Sequence, residues 1–221
     1  MKISTTRCWL SCAGMILVLM TVILSTEGAL AHTINPNPGV FPRKSHPFGL
    51  SYTQWSAKWW QRAFSLTAAE FNDTKDCSHR QSGPVWFLNG TGGGAATREC
   101  TVPRGKAIMF PVINAEQSIL EPPCGVGTPG NIPVFPHGTN NKALRNCAIA
   151  VTNHTTEVEA DIDGKKLQGL MKGKYLAISP PFCFKAIPGN IFGFTGKGRS
   201  VSDGVWIILK PLHPGTHILH F

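Results

Sequence analysis

Between Tyr52 and Leu66 the apolar positions recur with a helical period. Turning about 100° per residue from Trp55 gathers Trp55, Leu66, Trp59, Tyr52 and Ala63 into one narrow arc. Gln61, Gln54, Ser65, Lys58 and Arg62 fill an unbroken polar arc, and Trp60, Phe64 and Ala57 lie on the far side of the apolar one, interleaved with Ser56 and Thr53. Ser51 followed three residues later by Gln54 has the spacing of a capping box. The pattern predicts an amphipathic N-terminal helix over residues 52–66 packed against a core. Trp55 and Trp59 are its anchors, each contributing about 1.5–3 kcal/mol through burial. Trp60 and Phe64 occupy the looser part of the apolar side, where they are candidates for ligand contact as well as for core.

Beyond this helix the pattern changes to short apolar runs separated by Gly, Pro, Asn and Asp. "GPVWFLNG", "KAIMFPVIN", "CAIAVTN", "TEVEADIDG", "YLAISP", "IFGFTG", "GVWIILKPL" and "THILHF" each suit a strand. Alternation at Val158, Ala160 and Ile162 leads into Asp163-Gly164, a strong hairpin turn. This spacing of turn signals predicts a mainly β fold, an antiparallel β-sandwich of Ig-like or jelly-roll-like type with the one helix packed against it. Residues 51–221 form a single domain in this reading, preceded by an extended segment over residues 32–50. The stretch from Glu116 to Asn141 is rich in Pro and Gly, reads as a long loop, and has Cys124 as a natural pin.

The first residues change the compartment. Lys2 and Arg7 precede an uncharged, mostly apolar run from Cys8 to Leu24, and Ala29, Leu30 and Ala31 follow in an A-x-A arrangement. Residues 1–31 therefore read as a secretory signal peptide, with no membrane span left after cleavage. Its removal takes away Lys2, Arg7 and Glu27 and lowers the net charge from +9 to +8. The basic residues are scattered, with nothing denser than Lys165-Lys166 and Lys172/Lys174, so a solvated face accounts for them and nucleic-acid recognition is not predicted.

Five cysteines remain after cleavage, Cys77, Cys100, Cys124, Cys147 and Cys183, and in an oxidising compartment most of them pair. Sequence alone does not choose the connectivity. We favour Cys77 with Cys100 and Cys124 with Cys147, because each closes a loop-rich segment of moderate length, worth about 3 kcal/mol per bridge in the chain-entropy model. Cys183, in "PPFCFKA", then reads as a buried strand thiol.

Candidate chemistry is sparse. Cleavage after Ala31 leaves His32 as the new N-terminus, whose amine and imidazole together suit copper. A histidine brace would take its second histidine from His46, His79, His137 or His154. His217 and His220 are three apart on a presumed strand and so point to opposite faces, while His213 lies across a Pro-Gly turn. "NGTGGGAATR" and "FTGKGRS" lack the Lys-Ser/Thr ending of a phosphate loop and read as turns. Neither a G-x-S-x-G elbow nor a recognisable Cys-His protease pattern is present. Glu116, Glu121, Glu157 and Glu159 are the acids near loops that a glycosidase could pair. Asn72, Asn89 and Asn153 each start an N-x-Thr sequon.

At "QWSAKWWQRAFSL", "QSGPVWFLNGTGGG", "CTVPRGKAIMFPVIN" and "SDGVWIILKPLHPGTHILHF" the chain resembles an uncharacterised family of secreted prokaryotic proteins, over most of the mature length. The resemblance implies no activity and assigns no catalytic residue. Relatives continue past the equivalent of "THILHF" with another strand, so a sheet edge here is expected to lack its partner. The leading expectation is a secreted or envelope-associated, non-enzymatic binding or structural module without a cofactor. It would recognise an envelope or extracellular ligand through loops at the ends of the sandwich. Trp60, Phe64, Asn89, Thr91, Glu116 and Glu121 are the candidate contacts, with the segments Asn89–Thr97 and Glu116–Asn141 as the recognition loops. The alternatives are a copper-dependent oxidase using His32 and a glycosidase-type hydrolase.

Overall fold

A computed structural model of the protein describes residues 35–122, 124, 140–170 and 173–221. The chain forms two units, Met1–Ile34 and Asn35–Phe221. The second is described below; the leader, His32 and His137 lie outside the described residues.

Helix α1 spans Tyr52–Ala63 and starts where its cap dictates. Gln54 N–H donates to Ser51 Oγ at 3.3 Å and Ser51 N–H donates to Gln54 Oε1 at 2.9 Å, satisfying two otherwise orphaned donors. Its apolar side is buried, and three of its polar tips find backbone acceptors: Tyr52 Oη donates to the Phe41 carbonyl, Trp55 Nε1 to Pro47 and Trp59 Nε1 to Leu88. The structure decides between the two readings of Phe64 and departs from the helical-wheel reading at Arg62. Phe64 is fully buried and stacks on Phe184 with ring centroids 4.1 Å apart, so it is core and not groove lining. Arg62, assigned by the wheel to the solvated arc, is only 6 % exposed, because the chain after α2 (Ala68–Asn72) folds back over it.

The strands are β1 (Val85–Phe87), β2 (Ala107–Ser118), β3 (Asp161–Ile162), β4 (Lys165–Lys166), β5 (Phe182–Ala186), β6 (Gly196–Leu209) and β7 (Leu219–His220). They make a four-stranded sheet in the order β1-β2-β6-β5 and a three-stranded antiparallel sheet in the order β4-β3-β7. The fold is thus mainly sheet, but the larger sheet is mixed, because β1 runs parallel to β2. Parallel neighbours need a crossover of a dozen or more residues, and residues 88–106, which hold the glycine-rich segment, provide it.

The register between β2 and β6 assigns the faces. Trp206 opposite Pro111 and Ile208 opposite Met109 share one face; Ile207 opposite Phe110 and Leu209 opposite Ile108 share the other. Trp59 packs edge-on against Trp206 at 5.5 Å, so α1 covers the first face. Phe221 packs against Phe110 at 4.4 Å, so the C-terminal segment covers the second.

Helix α3 (Asn141–Thr152) corrects the strand expected at "CAIAVTN". Read from Cys147 the residues are β-branched and apolar, but the element begins six residues earlier, behind a cap at the seventh. There Asn140 Oδ1 caps it by accepting Ala143 N–H at 2.9 Å. From that start Leu144, Cys147, Ala148 and Thr152 fall on one buried stripe of helical spacing.

Other strand expectations are trimmed. Tyr175, Ala177 and Ser179 bond to Trp206, Gly204 and Ser202, extending the sheet edge until Pro180-Pro181 interrupts it ahead of β5. The "IFGFTG" segment is a turn closed by Asn190 side-chain bonds, although Phe192 and Phe194 still pack on Phe64. Asp163 and Gly164 take φ of 52° and 74°, the two left-handed positions of a type I′ hairpin turn. Strand β2 runs on to Ser118, so Glu116 is a strand residue and not the start of a loop.

Cys77 is bridged to Cys100 and Cys124 to Cys147, with Cα separations of 5.4 and 5.8 Å. Cys183 is free and exposed, against the expectation of a buried thiol. Strand β5 turns Phe182, Phe184 and Ala186 inward, so period-two alternation sends Cys183 and Lys185 outward. Among the described residues no helix is long and apolar enough to cross a membrane.

Gly204 marks the tightest approach between β2 and β6. A Cβ there would sit 2.5 Å from the Ile113 carbonyl oxygen and 2.9 Å from Asn114 Cα, beside the register shift between Pro111 and Ile113. Because the obstruction is backbone, Gly204→Ala is expected to destabilise the fold by about 2–3 kcal/mol, the upper part of the range for overpacking. Urea unfolding followed by tryptophan fluorescence measures it, and an unchanged midpoint would refute the close approach.

Candidate functional site: a cleft between the glycine-rich segment and the C-terminal segment

The glycine-rich segment is fastened at its ends and open in its middle. Arg62, on α1, donates from Nη1 to Asn89 Oδ1 at 2.7 Å and from Nε to the His79 carbonyl at 3.0 Å. Asn89 Nδ2 donates to the Phe71 carbonyl at 3.0 Å. At the far end Arg98 reaches back, giving Nη1 to the same Phe71 carbonyl at 3.0 Å and Nη2 to Gly90 at 3.2 Å. Glu99 N–H bonds Thr74, and the Cys77–Cys100 bridge closes the base. Between these fastenings, residues 91–97 are exposed.

The facing wall is the C-terminal segment. His217 is bonded through Nδ1 to Asp163 Oδ2 at 2.8 Å, and His220 through Nδ1 to Asp161 Oδ2 at 3.0 Å. Ile218 N–H donates to Asp163 Oδ1, and Asp163 N–H returns a bond to Ile218. His217 and Ile218 hold the Asp163 carboxyl below its ordinary value, and Asp163 in turn raises the His217 imidazole. The hairpin turn thus ties the C-terminus down through its own carboxylate. His217 lies ahead of β7 rather than on it, and both rings line the cleft instead of pointing to opposite faces.

Between the two walls lies a cleft of about 1300 Å³. Trp59, Trp60, Phe71 and Phe192 supply apolar lining, and Arg62, Arg98, Arg104 and Lys106 supply positive charge. Of the residues singled out by sequence, Asn89, Thr91 and Trp60 line this cleft; Phe64, Glu116 and Glu121 do not. Trp60 is 7 % exposed, so it contributes an edge and not an open platform. Arg62, Arg98 and Asn114 were missed. Arg62 sits on a polar helix arc, and only the fold-back of residues 73–100 reveals that it is buried.

Glu116 and Glu121 come together elsewhere. Their carboxyls are hydrogen-bonded to each other, Ser200 Oγ donates to Glu116, and Glu121 accepts the Ser118 N–H at 2.5 Å. Burial pushes Glu116 well above the usual carboxylate range, with the Glu121 charge adding to it, and burial raises Glu121 as well. A directly bonded pair shares a proton and leaves no room for a sugar, whereas the carboxyls of glycoside hydrolases stand roughly 5–9.5 Å apart. Glu157 and Glu159 are exposed, and Glu159 pairs with Lys166. Asp203 is a further buried acid, raised by burial and bonded through Oδ2 to Thr152.

Of the histidines considered as brace partners, His79 is bonded to Asp73, and His154 Nδ1 bonds the Ala150 carbonyl. Among the described residues no three potential ligands gather into a metal site. Compared with known protein families, with characterised proteins and with solved structures, the chain matches none.

The Glu116–Glu121 pair sets a sign for pH dependence. Both folded values lie above the ordinary 4.5, so the folded protein binds more protons than the unfolded chain. The stability this confers is complete below about 4.5 and is lost as pH rises through the raised values. Glu116→Gln, which imitates the protonated acid, is expected to flatten the fall in thermal midpoint above pH 4.5. Parallel melting curves of the two proteins from pH 4 to 8 decide the matter, since identical slopes would mean that the pair is not proton-shared.

Proposed function

We propose that this chain is an exported, envelope-associated or extracellular binding module that takes its ligand in the cleft between the glycine-rich and C-terminal segments. The carrying observation is the construction of that cleft. One wall is fixed at its ends by the buried Arg62, the half-buried Arg98 and a disulfide, and is open in the middle. Fixing the ends of a recognition loop lowers the entropy lost on binding, and it leaves the exposed centre to contact a partner.

Export is supported by the leader pattern of residues 1–31 and by the two disulfides, which persist in oxidising compartments. In this reading the scaffold is a β-sandwich derivative in which the four- and three-stranded sheets are the two layers. The contact of the half-exposed Phe221 with the buried Phe110 supports that pairing of layers. The resemblance to uncharacterised secreted prokaryotic proteins agrees with the compartment and adds no chemistry.

The test is a glycan array of envelope and extracellular polysaccharides, probed with the leaderless protein and with Ala96→Trp. Ala96 is exposed and lines the cleft, so the larger side chain obstructs the rim without touching the core. The expected result is retention of wild-type ligands with affinity at least tenfold lower for the variant and no sugar released by either protein. Equal binding by both proteins would place recognition elsewhere, and released sugar would make the protein a hydrolase.

A further inference from the structure

The geometry points to an anionic polysaccharide as the occupant of this cleft, with Arg62 as the counter-charge that receives it; this rests on the binding reading above. Arg62 is 6 % exposed and lines the cleft. Its bonds go to two neutral acceptors, the His79 carbonyl and the Asn89 amide oxygen, and among the described residues no carboxylate forms an ion pair with it. Burial draws the guanidinium down to about 10, and the longer-range attraction of Glu70 does not offset it. A cation stripped of water and given no anion is under-compensated, and an incoming oxyanion supplies what the fold omits.

Two more donors lie in the same lining without acceptors. Trp60 Nε1 and Asn114 Nδ2 are both buried, and neither has a hydrogen-bond partner among the described residues. Buried donors are nearly always paired, and although Trp206 Nε1 is left open in the same way outside the cleft, these two belong to residues that a ligand in the cleft would touch.

The acids of the lining stay charged and are each held by local partners. Asp73 accepts the N–H groups of Lys75 and Asp76 and bonds His79; Asp76 accepts Ser78 N–H; Glu99 pairs with Lys75. Arg98 and Lys106 donate to backbone carbonyls, as Arg62 donates to neutral oxygens, and with exposed Arg104 they give the lining four cations against the three carboxylates of Asp73, Asp76 and Glu99.

Size and layout select the ligand class. Small-molecule pockets run to about 300–1,000 Å³, and this cleft, at about 1300 Å³, has room for several linked rings. Apolar edges from Trp60, Phe71 and Phe192 beside spaced donors match the alternating ring faces and oxygens of a sugar chain. A nucleic acid would be expected to draw on a dense basic track, whereas the charges here are dispersed.

The experiment is calorimetric titration of the leaderless protein with hexagalacturonate, its fully methyl-esterified form, and an oligothymidylate of matched length, at 50 and 300 mM salt. The uronate is expected to bind at least tenfold more tightly than its neutral ester and to weaken at the higher salt. Arg62→Met should cut that preference at least threefold, the other cations of the lining keeping the remainder. Because Arg62 also fastens Asn89, the exposed variant Arg104→Glu is the second probe, expected to weaken uronate binding at least threefold with an unchanged melting temperature.

Equal binding of uronate and ester, with both sensitive to Ala96→Trp, would overturn the anionic assignment and leave the binding module standing. Equal or tighter binding of the oligothymidylate would overturn the polysaccharide. Absence of any binding here and on the glycan array would remove both readings.

Discussion

Everything in this fold is arranged around a strand that has no solvent side. From Ser200 to Leu209 every residue of β6 is buried, although the segment is too short to hide itself. Its backbone is satisfied by β2 on one edge and by β5 with the Tyr175–Ser179 segment on the other. Its side chains must then be covered from both faces, which is why helices and the C-terminus converge on it. The aromatic side of α1 meets Trp206 on one face. On the other, Thr152 of α3 meets Asp203, and Phe221 meets Phe110 beside Ile207. Each large apolar side chain so covered contributes about 1.5–3 kcal/mol. Removing any one cover would expose a row of residues and not a single one.

Covering one face with α1 has a consequence for the cleft. A twelve-residue helix laid on the sheet cannot keep its whole polar arc in water once the following chain returns over it, and Arg62 is where that return passes. The fold meets the demand of the buried guanidinium with neutral carbonyl and amide oxygens and converts it into a fastening for the glycine-rich segment. Neutral acceptors satisfy geometry without cancelling charge. The same interaction that orders the recognition wall therefore leaves a cation in the lining.

The buried acids show the complementary solution. Glu116, Glu121 and Asp203 sit among hydroxyls and one another, and burial raises all three, so they are held toward the neutral form. The surface carboxylates behave in the opposite way. Asp73 is drawn down to about 2 by the Lys75 N–H, the His79 ring and the Asp76 N–H, and Asp163 is lowered by His217 and Ile218. Polar groups inside the sheet are thus kept neutral, whereas those at the cleft walls are kept charged. The charged set holds the loops, and the neutral set tolerates the core.

The local code was enough for whatever depended on neighbours within a few residues. Ser51 and Gln54 announce the start of α1, Asp163-Gly164 announces its hairpin, and the runs at Ala107 and Val205 announce the two long strands. Each of these is decided by backbone conformation or by periodicity, both of which are written along the chain. The segment at Cys147 was misread for the same reason: its cap lies at Asn140, outside the window in which its β-branched residues look like a strand.

What only the tertiary structure decided are the meetings between distant segments. These are the parallel placement of β1, the outward Cys183, the approach of Glu116 to Glu121, and the burial of Arg62 under residues 73–100. A guanidinium on a polar helix arc carries the same local pattern whether water or another stretch of chain lies above it. Its desolvation, and with it the chemistry of the cleft, exists only once the chain has folded back.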